Sequence, residues 1–185
     1  MVVQKKLYTT AEFEAFIAQP ENQDRLFELI NGEIFEKMPT EKHGMIQAEL
    51  AHLLISFSRP NKLGRVTTEV RHQAQGDEHN DLLPDVAFTS RERILPPVDE
   101  GAVPQMPDLA IEIQSPDDSL KKLLAKADQY LLHGSRMVLL ILPQKRLIEV
   151  ITADDVEILN ENDTFDGGDV LPGFTLAVKD IFDIE

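Results

Sequence analysis

The sequence predicts an α+β fold in which a central sheet is flanked by helices, within a single domain spanning residues 1–185. Three observations carry this. The chain holds 185 residues, which is room for one compact domain and hardly for two. Apolar runs with strand-like alternation are interleaved with stretches of helical spacing. One run, Met137 to Leu142, is almost wholly apolar, as a strand buried on both faces must be. Hydrophobic residues make up 42% and charged residues 28%, which excludes a disordered or fibrous chain.

The elements follow in order. Thr9-Thr10-Ala11-Glu12 fits a capping box, so a short helix is expected through about Ala18, with Phe13, Phe16 and Ile17 on one side. Pro20 and Asn22 break it. Arg25 to Ile30 and Glu33 to Lys37 flank Asn31-Gly32, the pair that a type I′ hairpin turn demands. A second helix is expected over about Lys42 to Phe57, where Ile46, Leu50, Leu53, Leu54 and Phe57 recur at helical spacing. Arg65 to Gln73 reads as a strand, Gln75 to Asp81 as a loop, and Asp85 to Phe88 as a short strand entered through Pro84. Arg91 to Pro107 holds four prolines and reads as a surface excursion. Leu109 to Gln114 is a strand, and a helix runs from about Asp118 or Ser119 to His133, with Gly134 placed to cap it. Arg146 to Thr152 and Val156 to Leu159 suit outer strands, and a turn-rich tail closes on Ile181-Phe182.

Composition narrows the chemistry. With no Cys there is no disulfide framework, thiol nucleophile or Cys-based zinc site. No secretory h-region and no run of about 18 apolar residues appears, so a cytoplasmic protein away from membranes is expected. The net charge of −15 argues against nucleic acid at first sight. Its distribution weakens the objection, because residues 149–185 carry eleven acids and one base, Lys179, leaving the rest of the chain nearly balanced. No Gly-rich phosphate loop, Gly-x-Ser-x-Gly elbow or His-Glu-x-x-His motif is present.

The informative stretch is Leu109-Ala110-Ile111-Glu112-Ile113-Gln114. Alternation sends Ala110, Glu112 and Gln114 to one face, which puts a carboxylate in mid-strand among apolar residues. Such a group is either solvated or meets a cation or metal. Asp85 heads another short apolar strand, and two neighbouring strands would bring it beside Glu112. Two carboxylates make a hard, oxygen-rich site suited to Mg²⁺ or Mn²⁺. Asp108 is a rival whose position after Pro107 equally fits a turn or strand-entry role. On the following helix Leu120, Leu123, Leu124, Ala127, Tyr130 and Leu131 form the buried stripe, and spacing alone leaves Lys122, Lys126 and Gln129 on a solvated face. His43, at the start of the second helix, reads by itself as a surface residue, and His52, His72, His79 and His133 lack metal-ligand spacing.

At these residues the chain resembles the Uma-type restriction endonucleases, a branch of the PD-(D/E)XK nuclease superfamily. The resemblance spans about Glu28 to Leu142. It rests on Glu28-Leu29-Ile30-Asn31-Gly32-Glu33, on His43, Ile46, Leu50 and Leu54 along one helix, and on Pro84-Asp85-Val86-Ala87-Phe88. Pro107 to Ile113 with Ser115-Pro116, and Lys126 to Tyr130 with Gly134 beyond, complete it. The resemblance implies a restriction-endonuclease-like PD-(D/E)XK core with a mixed sheet, cutting DNA by in-line attack of metal-activated water. Asp85 and Glu112 would be the metal ligands, with Mg²⁺ or Mn²⁺ between them. The superfamily's lysine two residues after that Glu is Gln114 here. Lys126 would then be its substitute, Gln114 an aid to metal or water, and His43 a peripheral residue of the site. Two-fold pairing into a homodimer would suit cutting of both strands. Two other classes fit the acidity and the missing lysine: a non-catalytic binding module on the same fold, and an acidic protein that mimics DNA.

Overall fold

The computed structural model describes residues 6–116 and 118–184. Thr9 caps α1 (Thr10–Ile17), and the reciprocal bond from the Thr9 amide to Glu12 is present. A hairpin follows, β1 (Leu26–Ile30) and β2 (Glu33–Lys37), paired from Leu26 opposite Lys37 to Ile30 opposite Glu33. Its turn residues Asn31 and Gly32 both have positive φ, 51° and 77°, as the sequence requires. Thr40 caps α2 (Glu41–Ser58), whose Ile46, Leu50 and Leu54 are buried.

The main sheet comprises β3 (Gly64–Thr68), β4 (Val86–Ser90), β5 (Leu109–Ile113), β6 (Met137–Leu142), β7 (Leu147–Ile151) and β8 (Val156–Asn160), in that spatial order. It is mixed: β5 and β6 are parallel and every other pair is antiparallel. Parallel neighbours need a crossover, and α3 (Leu120–Leu132) supplies it, with Ser119 as cap and Gly134 beyond its end at φ 104°. A small pair, β9 (Thr164–Asp166) and β10 (Thr175–Ala177), and a last helix, α4 (Val178–Phe182), give order to the turn-rich tail.

Two apolar layers hold the sheet. On one face Ile46, Leu50 and Leu54 of α2 pack on Leu109, Ile111 and Ile113, with Phe165, Phe174 and Ile181 of the tail closing the same layer. On the other face Leu123, Ala127 and Tyr130 of α3 pack on Ala110, Val138, Leu140 and Leu142. All six residues of β6 are buried, as its composition requires. A satellite cluster of Phe13, Phe27 and Leu29 ties α1 to the hairpin. Among the described residues no helix is long and apolar enough to cross a membrane.

One strand is shorter than the sequence suggests. The run from Arg65 to Gln73 is paired only to Thr68, because Glu69 turns to φ 51° and takes the chain out of the sheet. His72 then forms single bridges to Leu82 and Val103.

Gly64 opens β3 where the backbones crowd. A Cβ there would lie 2.1 Å from the Thr89 carbonyl oxygen and 2.6 Å from the Phe88 ring. Backbone cannot yield as a flexible side chain does, so Gly64→Ala is expected to cost about 2–3 kcal/mol, as overpacking does. At this chain length that lowers the thermal midpoint by roughly 5–10 °C. An unchanged midpoint by differential scanning calorimetry would show that β3 can open without loss.

Candidate active site

The site lies where the start of β4 and the end of β5 meet the hairpin and α3. Antiparallel pairing puts Val86 opposite Ile111, so Asp85, one residue before β4, stands beside the end of β5. Its amide donates to the Ile111 carbonyl (3.1 Å), and its Oδ2 accepts from the Ile113 amide at 2.6 Å. Asp85 is thereby fixed by the same ladder that fixes Glu112. Ala110 and Glu112 face the α3 side of the sheet, where Glu112 is 2% exposed.

The buried carboxylates need partners, and three other elements supply them. From α3, Lys126 Nζ is 2.7 Å from Glu112 Oε1, pairs tightly with Glu28 Oε2, and donates to the Leu83 carbonyl at 3.1 Å. One turn later, on the same helical face, the Tyr130 hydroxyl donates to Glu112 Oε1 at 2.7 Å. From the end of β2, Lys37 Nζ is 2.5 Å from Asp85 Oδ1, 2.9 Å from the Leu83 carbonyl and 4.0 Å from Glu112 Oε2. From the first turn of α2, His43 Nε2 lies 3.2 Å from Asp85 Oδ2, while its buried Nδ1 has no hydrogen-bond partner. Glu28 itself comes from mid-β1 and is also buried.

The structure thus brings together Asp85, Glu112, Lys126 and His43. It overturns two positions that spacing suggested. Lys126 is buried, while Leu124 of the expected apolar stripe is 38% exposed, so α3 is rotated to aim the ammonium inward. His43 is buried against Asp85 rather than lying at the rim. Gln114 stands apart, just past the end of β5, with its side-chain amide on the Asp118 carbonyl at 3.0 Å. Asp108 is at the far end of β5, where the Ser90 amide (2.7 Å) and Arg93 (2.9 Å) hold it. Glu28 and Lys37 went unassigned from the sequence. Glu28 carries the same signal as Glu112, a carboxylate inside an apolar strand; Lys37 carries none.

The electrostatics follow from the arrangement. Burial alone would raise the Asp85 pKa, but the Lys37 charge, then the His43 contact, outweigh it and hold the group well below the carboxylate range. For Glu112 burial wins: its pKa is raised to about 7, with Asp85 and Glu28 adding to the effect and Lys126 and Lys37 opposing it. Burial disfavours the Lys37 ammonium, yet Glu112, Asp85 and Glu28 together raise its pKa above the ordinary lysine value. With all three ionised, the carboxylates of this cluster outnumber its two ammonium groups by one charge.

The donor chemistry fits a hard divalent cation. Asp85 Oδ1 and Glu112 Oε2 face a common position, and a cation, the Lys37 ammonium, already bridges it. Among the described residues no three Asp, Glu, His or Cys side chains form a metal-ligating group. An ion held by Asp85 and Glu112 would therefore complete its shell with water or substrate oxygens, the usual habit of Mg²⁺. The cleft over these groups is lined by Glu36, Lys37, Met38, Ser115, Asp118 and Lys122.

Two substitutions test the cluster in metal-free buffer. Lys126→Met leaves Glu28 and Glu112 facing each other without their shared cation and is expected to cost about 3–5 kcal/mol, as breaking a buried pair does. Urea unfolding measures this. Glu112 binds its proton more tightly in the folded chain than in the unfolded one, where its pKa is about 4.3. Its contribution to stability is therefore full below that value and lost as pH rises through about 7. Gln at this position does not titrate, so the midpoint of Glu112→Gln should gain on wild type between pH 5 and pH 8, by roughly 3–6 °C. Parallel pH profiles would refute the raised pKa.

No curated protein is significantly similar to the chain. Among solved structures, a crystal structure described as "a putative nuclease belonging to DUF820", from Anabaena variabilis ATCC 29413, superposes with a TM-score of 0.79 at 28% identity. The match covers 92% of this chain and 97% of that one. A chain of the DrdV–DNA complex matches at 19% identity over 75% of this chain and 80% of its own, with a TM-score of 0.40, too slight a likeness to carry an argument. The profile of the Uma2 family, described as "Putative restriction endonuclease", matches residues 11–179 and so takes in every group of the cluster. With its mixed sheet and buried acid–lysine cluster, this chain belongs to the Uma2 family of restriction-endonuclease-like proteins.

Proposed function

We propose that the protein is an endonuclease that hydrolyses DNA phosphodiester bonds with Mg²⁺ or Mn²⁺ held by Asp85 and Glu112. The observation that carries this reading is the meeting of the two carboxylates on adjacent strands around a shared cation position, at the base of an open cleft. When bound, the ion would polarise a phosphate oxygen and lower the pKa of a water.

The protein's own groups prepare that position. The Ile113 amide and His43 fix the Asp85 carboxylate, and Tyr130 and Lys126 fix Glu112, so neither must reorganise when a substrate arrives. Lys126 acts here as a positioning residue, because its ammonium is engaged by ion pairs with Glu28 and Glu112 and by a hydrogen bond to the Leu83 carbonyl. Lys37 and Lys122 line the cleft and are the cations placed to meet a phosphate. Gln114, turned to Asp118, has no part in this arrangement. A homodimer would pair two such sites for cutting both strands.

A second reading, a nuclease fold kept for binding alone, draws support from the net charge of −15 and from Gln114 at the position of the superfamily lysine. Incubation of supercoiled plasmid with Mg²⁺ or Mn²⁺ separates the two. The wild type should nick it, and Asp85→Ala and Glu112→Ala should each reduce nicking below detection. Equal nicking by wild type and both variants would mark a contaminant. Absence of nicking, with DNA retention that survives loss of both carboxylates, would favour the binding module.

A further inference from the structure

We propose that Lys37 is a built-in counter-ion of the Asp85–Glu112 site, occupying the place of the divalent ion until the ion enters by exchange with its ammonium. This rests on the metal-dependent reading above and names a residue that neither the spacing of the chain nor its family resemblance singles out.

The two lysines of the cluster differ in what they can do. Lys126 is 1% exposed, extends from a helix packed in the core, and pairs with two carboxylates while donating to a carbonyl. Its withdrawal would strand both Glu28 and Glu112. Lys37 ends β2, where the hairpin gives way to the 38–40 segment, and its side chain is 13% exposed at the cleft wall. Met38, next along, is 72% exposed, so open solvent begins one residue away. A lysine carries a compact, strongly hydrated charge on a flexible stem. Its head can swing to that mouth and be hydrated there while the backbone of β2 stays paired.

Geometry and charge agree on the exchange. Lys37 Nζ bridges Asp85 Oδ1 and Glu112 Oε2, the pair of oxygens that face a shared cation. Asp85 keeps its Ile113 amide and His43 contacts on the other oxygen, Oδ2, whichever cation sits at Oδ1. With Lys37 in place, Glu28, Asp85 and Glu112 outnumber the ammonium groups by one. With Lys37 out and a divalent ion in, three negative charges face three positive ones. Lys122 does not alter this count, being 3.9 Å from Glu28 and 3.2 Å from Asp118, whose charge it balances. The displaced ammonium remains beside the cleft, facing the position of a phosphate bound to the ion.

Calorimetric titration of Mn²⁺ into wild type and Lys37→Met tests the exchange without reference to cleavage. Removing the internal competitor should tighten binding by about tenfold or more, since each nearby unit charge counts for several kT at these distances. Asp85→Asn should abolish binding in both backgrounds. Should Lys37→Met unfold, acylation of lysines on the wild type gives an independent measure. Labelling of Lys37, read by mass spectrometry, should rise on adding Mg²⁺ while that of Lys126 stays low. Wild-type binding that Lys37→Met leaves equal or weaker, or Lys37 labelling that Mg²⁺ does not change, would overturn the exchange and leave the metal-dependent reading standing. No binding by either protein would remove both. Binding by Lys37→Met alone would show the competitor winning in the wild type.

Discussion

Three carboxylates buried around two ammonium groups set the terms for the rest of this molecule. Removing Glu28, Asp85 and Glu112 from water is tolerable only if cations and hydrogen-bond donors arrive with them. The donors come from four elements: Lys37 from the hairpin, His43 from α2, Tyr130 and Lys126 from α3, the Ile113 amide from β5. The crossover helix must therefore sit at one rotation over the parallel pair β5–β6. Tyr130 and Lys126, four residues apart, fix that rotation from both ends of one helical turn. The apolar layers give the fold its bulk stability, but the acid–lysine cluster selects which face of α3 looks inward. That is why Leu124 remains partly exposed while a lysine is buried.

Local signals made most of the architecture legible. The Thr9–Glu12 box, the Asn31-Gly32 turn and the wholly apolar β6 each depend on interactions within a few residues, and each is realised. The end of β3 was not legible, because it is set by the backbone turn at Glu69 rather than by any loss of β-forming side chains. Among site residues, Glu112 announced itself by the cost of a carboxylate inside an apolar strand; Glu28 in Leu26–Ile30 carries the same signal but was not assigned from it. Lys126 did not. On a helical wheel it borders the apolar stripe, and only the buried acids opposite decide whether it turns in or out. Lys37 is at the end of a strand whose residues are all half-buried, so alternation there distinguishes nothing.

The two ends of β5 show how a structural acid differs from one available for chemistry. Asp108 and Glu112 lie on either side of one short strand segment and are both buried. Asp108 is closed: the Ser90 amide and the Arg93 guanidinium occupy both its oxygens, and Arg93 is tied in turn to the Met106 carbonyl. The desolvation of that carboxylate is fully offset by groups that hold the excursion after β4 in place, and its pKa is lowered despite burial. At the other end the accounting does not close. Glu112 is held on one oxygen by Tyr130 and Lys126, while its second oxygen faces Lys37 only at 4.0 Å, and its pKa is raised. An incompletely neutralised acid deep in a fold is a standing cost, of the kind that functional sites retain. With Glu112 ionised the deficit is one positive charge, located at the base of the cleft, beside Lys37, whose side chain is partly open to solvent.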